Sequence, residues 1–134
     1  MNVMTVDGYH ARIEGSPGGP VAAVMVHVSD VAAGLAWYQQ AFPQAVRQRI
    51  EGFDVEVLAI GGLTIEVVRA DEKVSSGAAG SVVYWSVPDV PAALAGMQTL
   101  GAALYRGPMS IEDGMAMCQV RDPSGNCIGL RGPG

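Results

Sequence analysis

The sequence predicts an α+β fold made of two tandem βαβββ modules, and two observations carry that prediction. First, residues 24–42 and 83–100 align at an offset of 59 positions when Asp30 is matched with Asp89. Such a repeat indicates that one supersecondary unit is used twice, although any two strand–helix units of an Ala- and Val-rich chain share some positions. Second, the apolar period changes within each copy from strand-like to helix-like and back. The identical residues that the 59-position alignment brings together are Val24/Val83, Val28/Val87, Val31/Val90, Ala33/Ala92, Leu35/Leu94 and Ala36/Ala95.

Length and composition favour one globular domain. A chain of 134 residues can bury most of its apolar surface without disulfides or metals, and its two cysteines do not suggest a disulfide framework. The net charge of −5 argues against nucleic acid as a partner, because phosphate binding needs clustered Lys and Arg. No apolar run approaches the roughly 20 residues of a membrane-spanning helix, so no membrane association is expected.

Residues 1–20 are predicted to be an N-terminal extension of a single domain at 21–134. Val3–Val6 and Tyr9–Ile13 have the composition of short strands, and the breaker cluster Ser16–Pro20 separates them from the rest. The extension is expected either to pair along a sheet edge or across a dimer, or to be disordered until packed. It lacks the apolar core of an export signal, so a cytoplasmic location is the expectation.

The first module is predicted at about 21–69, as a strand, a capped helix and three more strands. Val21–Val28 is an apolar run of strand length, and Asp30 can accept the free amide bonds of the following helix. Apolar residues then recur every three or four positions until Pro43 stops the helix. Gly61 and Gly62 predict a two-residue hairpin turn. The later strands are expected at Arg47–Ile50, Asp54–Ile60 and Leu63–Val68.

The second module is predicted at about 80–131, after a linker at 70–80 that is rich in Gly, Ser and charged residues. Asp89 caps its helix, Pro91 is tolerable in the first turn, and Gly101 supplies the C-terminal stop. Asp122–Asn126 is predicted to be a turn. The strands are expected at Ser81–Val87, Ala103–Arg106, Met115–Val120 and Cys127–Leu130.

On this duplicated frame, the order of several short motifs resembles the vicinal oxygen chelate superfamily. That superfamily includes glyoxalase I, extradiol dioxygenases, and the bleomycin- and fosfomycin-resistance proteins. The resemblance covers about residues 21–132 and is closest in character to the metal-free bleomycin-resistance-like members. It rests on Val28–Asp30 with Ala36–Tyr38 and Phe42, on Gly61–Val67, on Val87–Val90, and on Asp122–Leu130.

The resemblance implies a mixed sheet that curls around a cavity, with the helices outside. Because side chains alternate along a strand, each strand then divides into a helix side and a cavity side. A mostly apolar lining with a few polar groups is typical of small-molecule sites. Each member also has a structural alternative, as a solvated group, a strand-end residue or a gap-filler. The residues predicted to bind a ligand are Met25, His27, Glu66, Tyr84, Ser86, Met117 and Gln119.

The resemblance also implies four positions for the ligands of a divalent ion: Ala23, Glu66, Val82 and Gly129. Only Glu66 carries a donor atom, whereas a catalytic divalent ion needs about three protein ligands. His27 shares the cavity side with Ala23 but lies roughly 13 Å further along the strand, too far to replace it. No metal and no other cofactor are therefore expected, and no catalytic residue is identified.

These inferences predict a metal-independent homodimer that binds a small organic molecule, as in drug or metabolite sequestration. Two alternatives stay open. One is a divalent-metal-dependent glyoxalase- or dioxygenase-like enzyme, and the other is a non-catalytic dimeric module with a vestigial cavity. A metal-free enzyme with Glu66 or His27 as general base also stays open, since it needs only a base with a suitable pKa.

Overall fold

The computed structural model describes residues 2–6, 9–13 and 21–134, and over residues 21–134 it has the predicted α+β architecture. Two βαβββ units follow one another, each with one helix and a four-stranded mixed sheet. The predicted fold class is confirmed. The strands are β1 (Asn2–Val6), β2 (Tyr9–Ile13), β3 (Ala23–Val28), β4 (Val46–Ile50), β5 (Val55–Ile60), β6 (Leu63–Arg69), β7 (Tyr84–Ser86), β8 (Ala103–Ser110), β9 (Met115–Arg121) and β10 (Cys127–Pro133), and the helices are α1 (Val31–Ala41) and α2 (Val90–Thr99).

The first sheet has the strand order β3-β6-β5-β4. β3 is parallel to β6, and the other two pairs are antiparallel. Gly61 and Gly62 form the turn between β5 and β6 with φ of 55° and 84°, the positive values that two-residue hairpins need. The hairpin prediction is confirmed.

Helix α1 crosses the first sheet at close range. Asp30 accepts a hydrogen bond from the Ala33 amide at 3.0 Å and so caps the helix. At Gly34 an added Cβ would lie 3.0 Å from methyl groups of both Val28 and Val67. The absence of a side chain at this position therefore lets the helix approach the sheet.

The second sheet has the strand order β7-β10-β9-β8. As in the first sheet, the first strand of the module is parallel to its neighbour, here β7 to β10, and the other two pairs are antiparallel. The strand predicted at Ser81–Val87 is shorter, because β7 lies at the sheet edge and pairs over three residues of β10 alone. β8 is longer than predicted. After two register irregularities it continues past Gly107, and Ser110 pairs with Ala116.

The helix-facing sides of both sheets and the two helices form one hydrophobic core. Cys118 belongs to it together with Val120, with which it alternates along β9. The largest fully buried side chains come from both modules: Leu58, Ile65, Val90, Cys118, Val120 and Leu130.

Three hydrogen bonds on the helix side join the two modules. The Trp37 indole donates to the Leu100 carbonyl at 2.9 Å, and the Asn126 amide donates to the His27 carbonyl at 2.9 Å. The Tyr38 hydroxyl donates to the Asp122 carboxylate at 2.5 Å. Burial and then the neighbouring Asp122 carboxylate raise the pKa of Tyr38 far above its usual value.

The extension forms a separate two-stranded sheet, in which Asn2 lies opposite Ile13 and Val6 opposite Tyr9. Its contact with a sheet edge or with a second copy stays a prediction. Among the described residues, neither helix has the length and apolar character needed to cross a bilayer.

Candidate functional site

Each sheet has a helix-facing side and an open side, and all seven predicted ligand-binding residues lie on the open sides. In the first sheet Ile65 and Val67 are buried against α1, so alternation turns Glu66 to the other side. We call this side the first open face, and the part of it on β3 and β6 consists of Ala23, Met25, His27, Thr64, Glu66 and Val68.

The first open face is mostly apolar, with one carboxylate. Met25 pairs with Glu66 across the parallel β3-β6 ladder, and its side chain is 54% exposed. The Thr64 hydroxyl donates to Glu66 at 3.0 Å and so fixes the carboxylate on the sheet surface. His27 lies one row further on, opposite Val68.

The second open face lies on the second sheet. Cys118, Val120, Ile128 and Leu130 are buried on the helix side, so the residues that alternate with them lie on the open side. Ordered by rows across the strands, this face consists of Tyr84, Gly129, Gln119 and Arg106; of Ser86, Arg131, Met117 and Met109; and of Cys127 and Arg121.

Gly129 is the position at which this face departs from an ordinary sheet surface. A Cβ added to Gly129 would lie 2.5 Å from the ring of Tyr84, so the ring lies directly across the glycine. The Tyr84 hydroxyl thereby reaches Gln119 on the far side, whose amide donates to it at 2.6 Å. The Cys127 thiol donates to the Gln119 carbonyl oxygen at 3.7 Å, which fixes the orientation of the amide.

The residues do not fit the divalent-ion site that the resemblance implies. Among the described residues, no three His, Cys, Asp or Glu side chains gather as a metal would need. Of the four implied positions, Ala23, Val82 and Gly129 lack donor atoms. The Tyr84 ring occupies the space into which a side chain at Gly129 would extend. Glu66 alone cannot hold a catalytic ion.

The seven predicted residues form two groups, one on each sheet. Met25 and Glu66 are paired, and Tyr84 and Gln119 share a hydrogen bond. In the part of the chain that the structure describes, no strand ladder joins the first sheet to the second. The residues that the sequence predicted as one lining therefore lie on two separate sheets, and their role in binding a ligand stays a prediction.

A cavity of about 230 Å³ lies at the junction of the modules, between β3, the start of β10 and residues 74–83. It contains two of the predicted residues, Met25 and His27. Asn126 holds the connecting segment over the junction, because its side-chain oxygen accepts a hydrogen bond from the Gly77 amide at 2.9 Å. The cavity is small for an organic ligand.

Sequence reasoning missed the arginines of the second open face. Arg106 lies directly opposite Gln119, and Arg121 lies two residues along β9 from it. The guanidinium of Arg121 stands 5.4 Å from the centre of the Tyr105 ring. The eight basic residues look scattered in the sequence, and only strand pairing shows that Arg106, Arg121 and Arg131 share one face.

Comparisons with known proteins agree with this architecture. The family model described as Glyoxalase/Bleomycin resistance protein/Dioxygenase superfamily matches residues 21–130. No curated protein sequence matches the chain significantly.

Several solved structures have the same fold. A Vibrio cholerae integron cassette protein is 15% identical, covers 84% of this chain and 93% of its own, and has a TM-score of 0.67. A glyoxalase/bleomycin resistance protein/dioxygenase family enzyme from Burkholderia phytofirmans is 19% identical, with coverage of 83% and 96% and a TM-score of 0.67. TnmS3, an antibiotic binding protein from a Streptomyces species, is 24% identical, with coverage of 85% and 95% and a TM-score of 0.65.

Proposed function

The chain belongs to the glyoxalase/bleomycin resistance protein/dioxygenase superfamily, and from that premise we propose that it binds a small organic molecule without a divalent metal. We further propose that it does so as a homodimer, in a cleft between open faces of two copies. Sequestration of a drug or metabolite is the activity that this arrangement would support. The cytoplasmic location stays a prediction from the sequence.

The proposal rests on one observation above all: an aromatic ring occupies a position at which the resemblance implies a metal ligand. At Gly129 the Tyr84 ring fills the space of a ligand side chain, and Gln119 holds its hydroxyl. A half-buried ring with a fixed hydroxyl is suited to contact an organic molecule, because it offers both an apolar surface and a polar group. Gly129 itself has no side-chain donor atom that could bind a metal ion.

Exposed apolar side chains support the dimer. All residues of β4 and β8, the edge strands opposite β3 and β7 in the two sheets, are exposed. Large contiguous apolar patches on a protein surface mark interaction sites, and a second copy is the partner that the resemblance implies. Exposed large apolar side chains on or beside the sheets include Met25, Val46, Ile50, Phe53, Val55, Leu104, Tyr105 and Met109.

The description of one structural neighbour also supports binding of a small molecule. TnmS3 is described as an antibiotic binding protein, and it covers 85% of this chain. At 24% identity it shares the fold, and fold alone does not fix function. The neighbour therefore supports the class of function that we propose, binding, and leaves the ligand to be identified.

Three measurements on the full chain test the proposal. Protein purified without chelator is expected to contain less than a stoichiometric amount of any divalent ion. A stoichiometric ion that is lost in Glu66→Ala would instead support the metal-dependent enzyme.

Equilibrium sedimentation is expected to give the mass of a dimer, and a monomer at micromolar concentration would contradict the shared cleft.

A thermal-shift screen against a broad library of organic compounds tests the binding itself. A ligand present at 100 times its dissociation constant should stabilise the protein by about 2.7 kcal/mol. Stabilisation should grow with the logarithm of the ligand concentration, as binding at one site requires, and should weaken in Tyr84→Ala. A library that yields no such stabiliser would favour the non-catalytic module with a vestigial cavity.

A further inference from the structure

We propose that the second open face is an anion-recognition surface, and that the ligand is an organic anion with an aromatic or apolar body. Tyr84 and Arg106 would contact its negatively charged oxygen, such as a carboxylate or phenolate. This inference rests on the proposed small-molecule binding and adds the chemical class of the ligand.

The first support is a continuous polar row across all four strands. Tyr84, Gly129, Gln119 and Arg106 lie side by side in register on β7, β10, β9 and β8. Because the Tyr84 ring crosses Gly129, its hydroxyl comes to Gln119, one strand away from Arg106. Neighbouring strands are about 4.8 Å apart, so one oxygen-bearing group can reach both Tyr84 and Arg106.

The second support is the hydrogen-bonding state of Tyr84. Its hydroxyl oxygen accepts a hydrogen bond from the Gln119 side-chain amide at 2.6 Å, and within the described residues it donates to no acceptor. The Gln119 carbonyl oxygen is held by the Cys127 thiol, which points the amide NH2 group at Tyr84. Within the part of the chain that the structure describes, the hydroxyl hydrogen of Tyr84 is therefore left for an acceptor such as a ligand, and a charged acceptor makes the stronger bond.

The third support is the charge of the face. The four strands of the second sheet contain three arginines and no Asp or Glu, in a chain whose net charge is −5. Arg131 is paired with Glu112 from outside the strands, at 3.0 Å. Among the described residues, Arg106 has no carboxylate within 4.0 Å, so its guanidinium is available.

The charges of Arg121 and Arg106 act at the centre of the row. Burial raises the pKa of the Cys127 thiol, the guanidinium groups of Arg121 and Arg106 oppose that rise, and the Asp122 carboxylate adds to it. Both arginines are therefore close enough to act on a thiol that contacts Gln119. A negative oxygen placed over Gln119 would be stabilised by the same two charges.

The body of the ligand is indicated by the adjacent row. Met117 and Met109 are directly paired there, beside Gln119 and Arg106, and the Tyr105 ring lies next to Arg121. Thioethers make favourable contacts with aromatic rings and adapt to irregular shapes. An aromatic acid fits this combination better than an inorganic anion or a sugar.

The test uses two probes that differ in charge, 2-naphthoate and its neutral amide, 2-naphthamide, with affinities measured by calorimetry on the full chain. Wild-type protein is expected to bind the acid at least tenfold more tightly, because a hydrogen bond to a charged group is worth about tenfold or more in affinity. Arg106→Gln should abolish this preference. Tyr84→Phe should weaken binding of both probes. Arg69→Gln, an exposed arginine of the first sheet, is the matched control and should change neither affinity.

Gly129→Ala provides an independent variant, since an added methyl group would displace the Tyr84 ring. It should reproduce the loss seen in Tyr84→Phe, and its thermal unfolding shows whether the fold is kept. If it does not fold, Tyr84→Phe and Arg106→Gln decide the question, because these two side chains are not buried.

The outcomes separate this inference from the proposed function. Equal affinity for acid and amide, or a preference for the acid that survives Arg106→Gln, would overturn the anion surface and leave small-molecule binding intact. Failure of both probes, together with saturable binding of neutral compounds in the thermal-shift screen, would do the same. Failure of every compound in that screen would overturn the proposed function itself.

Discussion

The two modules share one plan on their helix-facing sides and differ on their open faces. Both helices begin at an aspartate cap and pack on a mixed sheet whose first and last strands are parallel. The first open face carries Glu66 and no arginine, whereas the second carries Arg106, Arg121 and Arg131 and no carboxylate. Packing constrains the helix sides of both copies alike, while the open faces are free to diverge toward a ligand or partner.

The shared core should give the largest effects, and equal ones in the two modules. Leu58 and Leu130 are both fully buried, one in each sheet. Leu58→Ala and Leu130→Ala should each lower the free energy of unfolding by about 2–5 kcal/mol, from lost burial and the cavity left behind. Denaturant unfolding measures both. A loss confined to one variant would show that the halves do not depend on a common core.

The contact between the modules should come next. The Asp122 carboxylate is 5% exposed and accepts hydrogen bonds from the Tyr38 hydroxyl and from the amides of Ser124 and Asn126. Asp122→Ala should cost about 3 kcal/mol of unfolding free energy, since it leaves buried donors unpaired. Glu72→Ala, at an exposed residue of the segment between the modules, is the control and should cost far less.

The same contact predicts a dependence on alkaline pH. Burial, more than any other factor, raises the pKa of Tyr38 in the folded state above its ordinary value of about 10. The unfolded chain therefore loses the Tyr38 proton at a lower pH than the folded chain does. The contribution of this group to the free energy of unfolding is complete below about pH 10 and is lost as the pH rises above that value. Stability should fall by up to about 1.4 kcal/mol per pH unit there. Tyr38→Phe should flatten this part of the profile, and an unchanged slope would contradict the assignment.

The two helix caps offer a direct test of equivalence. Asp30 and Asp89 each accept a helix amide at 3.0 Å. Asp30→Ala and Asp89→Ala should each cost about 1 kcal/mol, and the corresponding Asn variants should cost much less, because Asn also caps. Thermal or denaturant unfolding resolves the difference. A cap that contributes nothing in one module would mark a helix held by packing alone.

The smallest effects on stability should come from the open faces. Glu66→Gln and Arg106→Gln should each change the free energy of unfolding by less than about 0.5 kcal/mol, as is usual for surface substitutions. Their effects should appear in ligand binding instead. A loss of several kcal/mol in either variant would show that its face serves the fold more than a ligand.

Features that depend on local sequence were predictable. The caps at Asp30 and Asp89 and the turn at Gly61 and Gly62 follow from chemistry within a few residues. The division of each strand into two sides follows from alternation, which placed all seven candidate residues on the open faces. Their role in binding a ligand stays a prediction.

Features that depend on pairing between distant segments were not predictable. Asp122 looked like a turn residue, and its contact with Tyr38 needs the two modules to be packed together. The Tyr84 ring lies over Gly129 only because β7 pairs with β10 in one register. Arg106 lies opposite Gln119 next to register irregularities in β8, where the sequence shows only a glycine and a proline.

The connecting segment at 70–83, which contains no helix or strand, has a consequence for the integrity of the chain. The hydrogen bonds of Trp37, Tyr38 and Asn126 and the common core hold the halves together independently of that segment. A single proteolytic cut in it should therefore leave two fragments that elute as one species. Two fragments that are expressed separately should also reassemble on mixing. Their reassembly would measure directly how strongly the two modules associate.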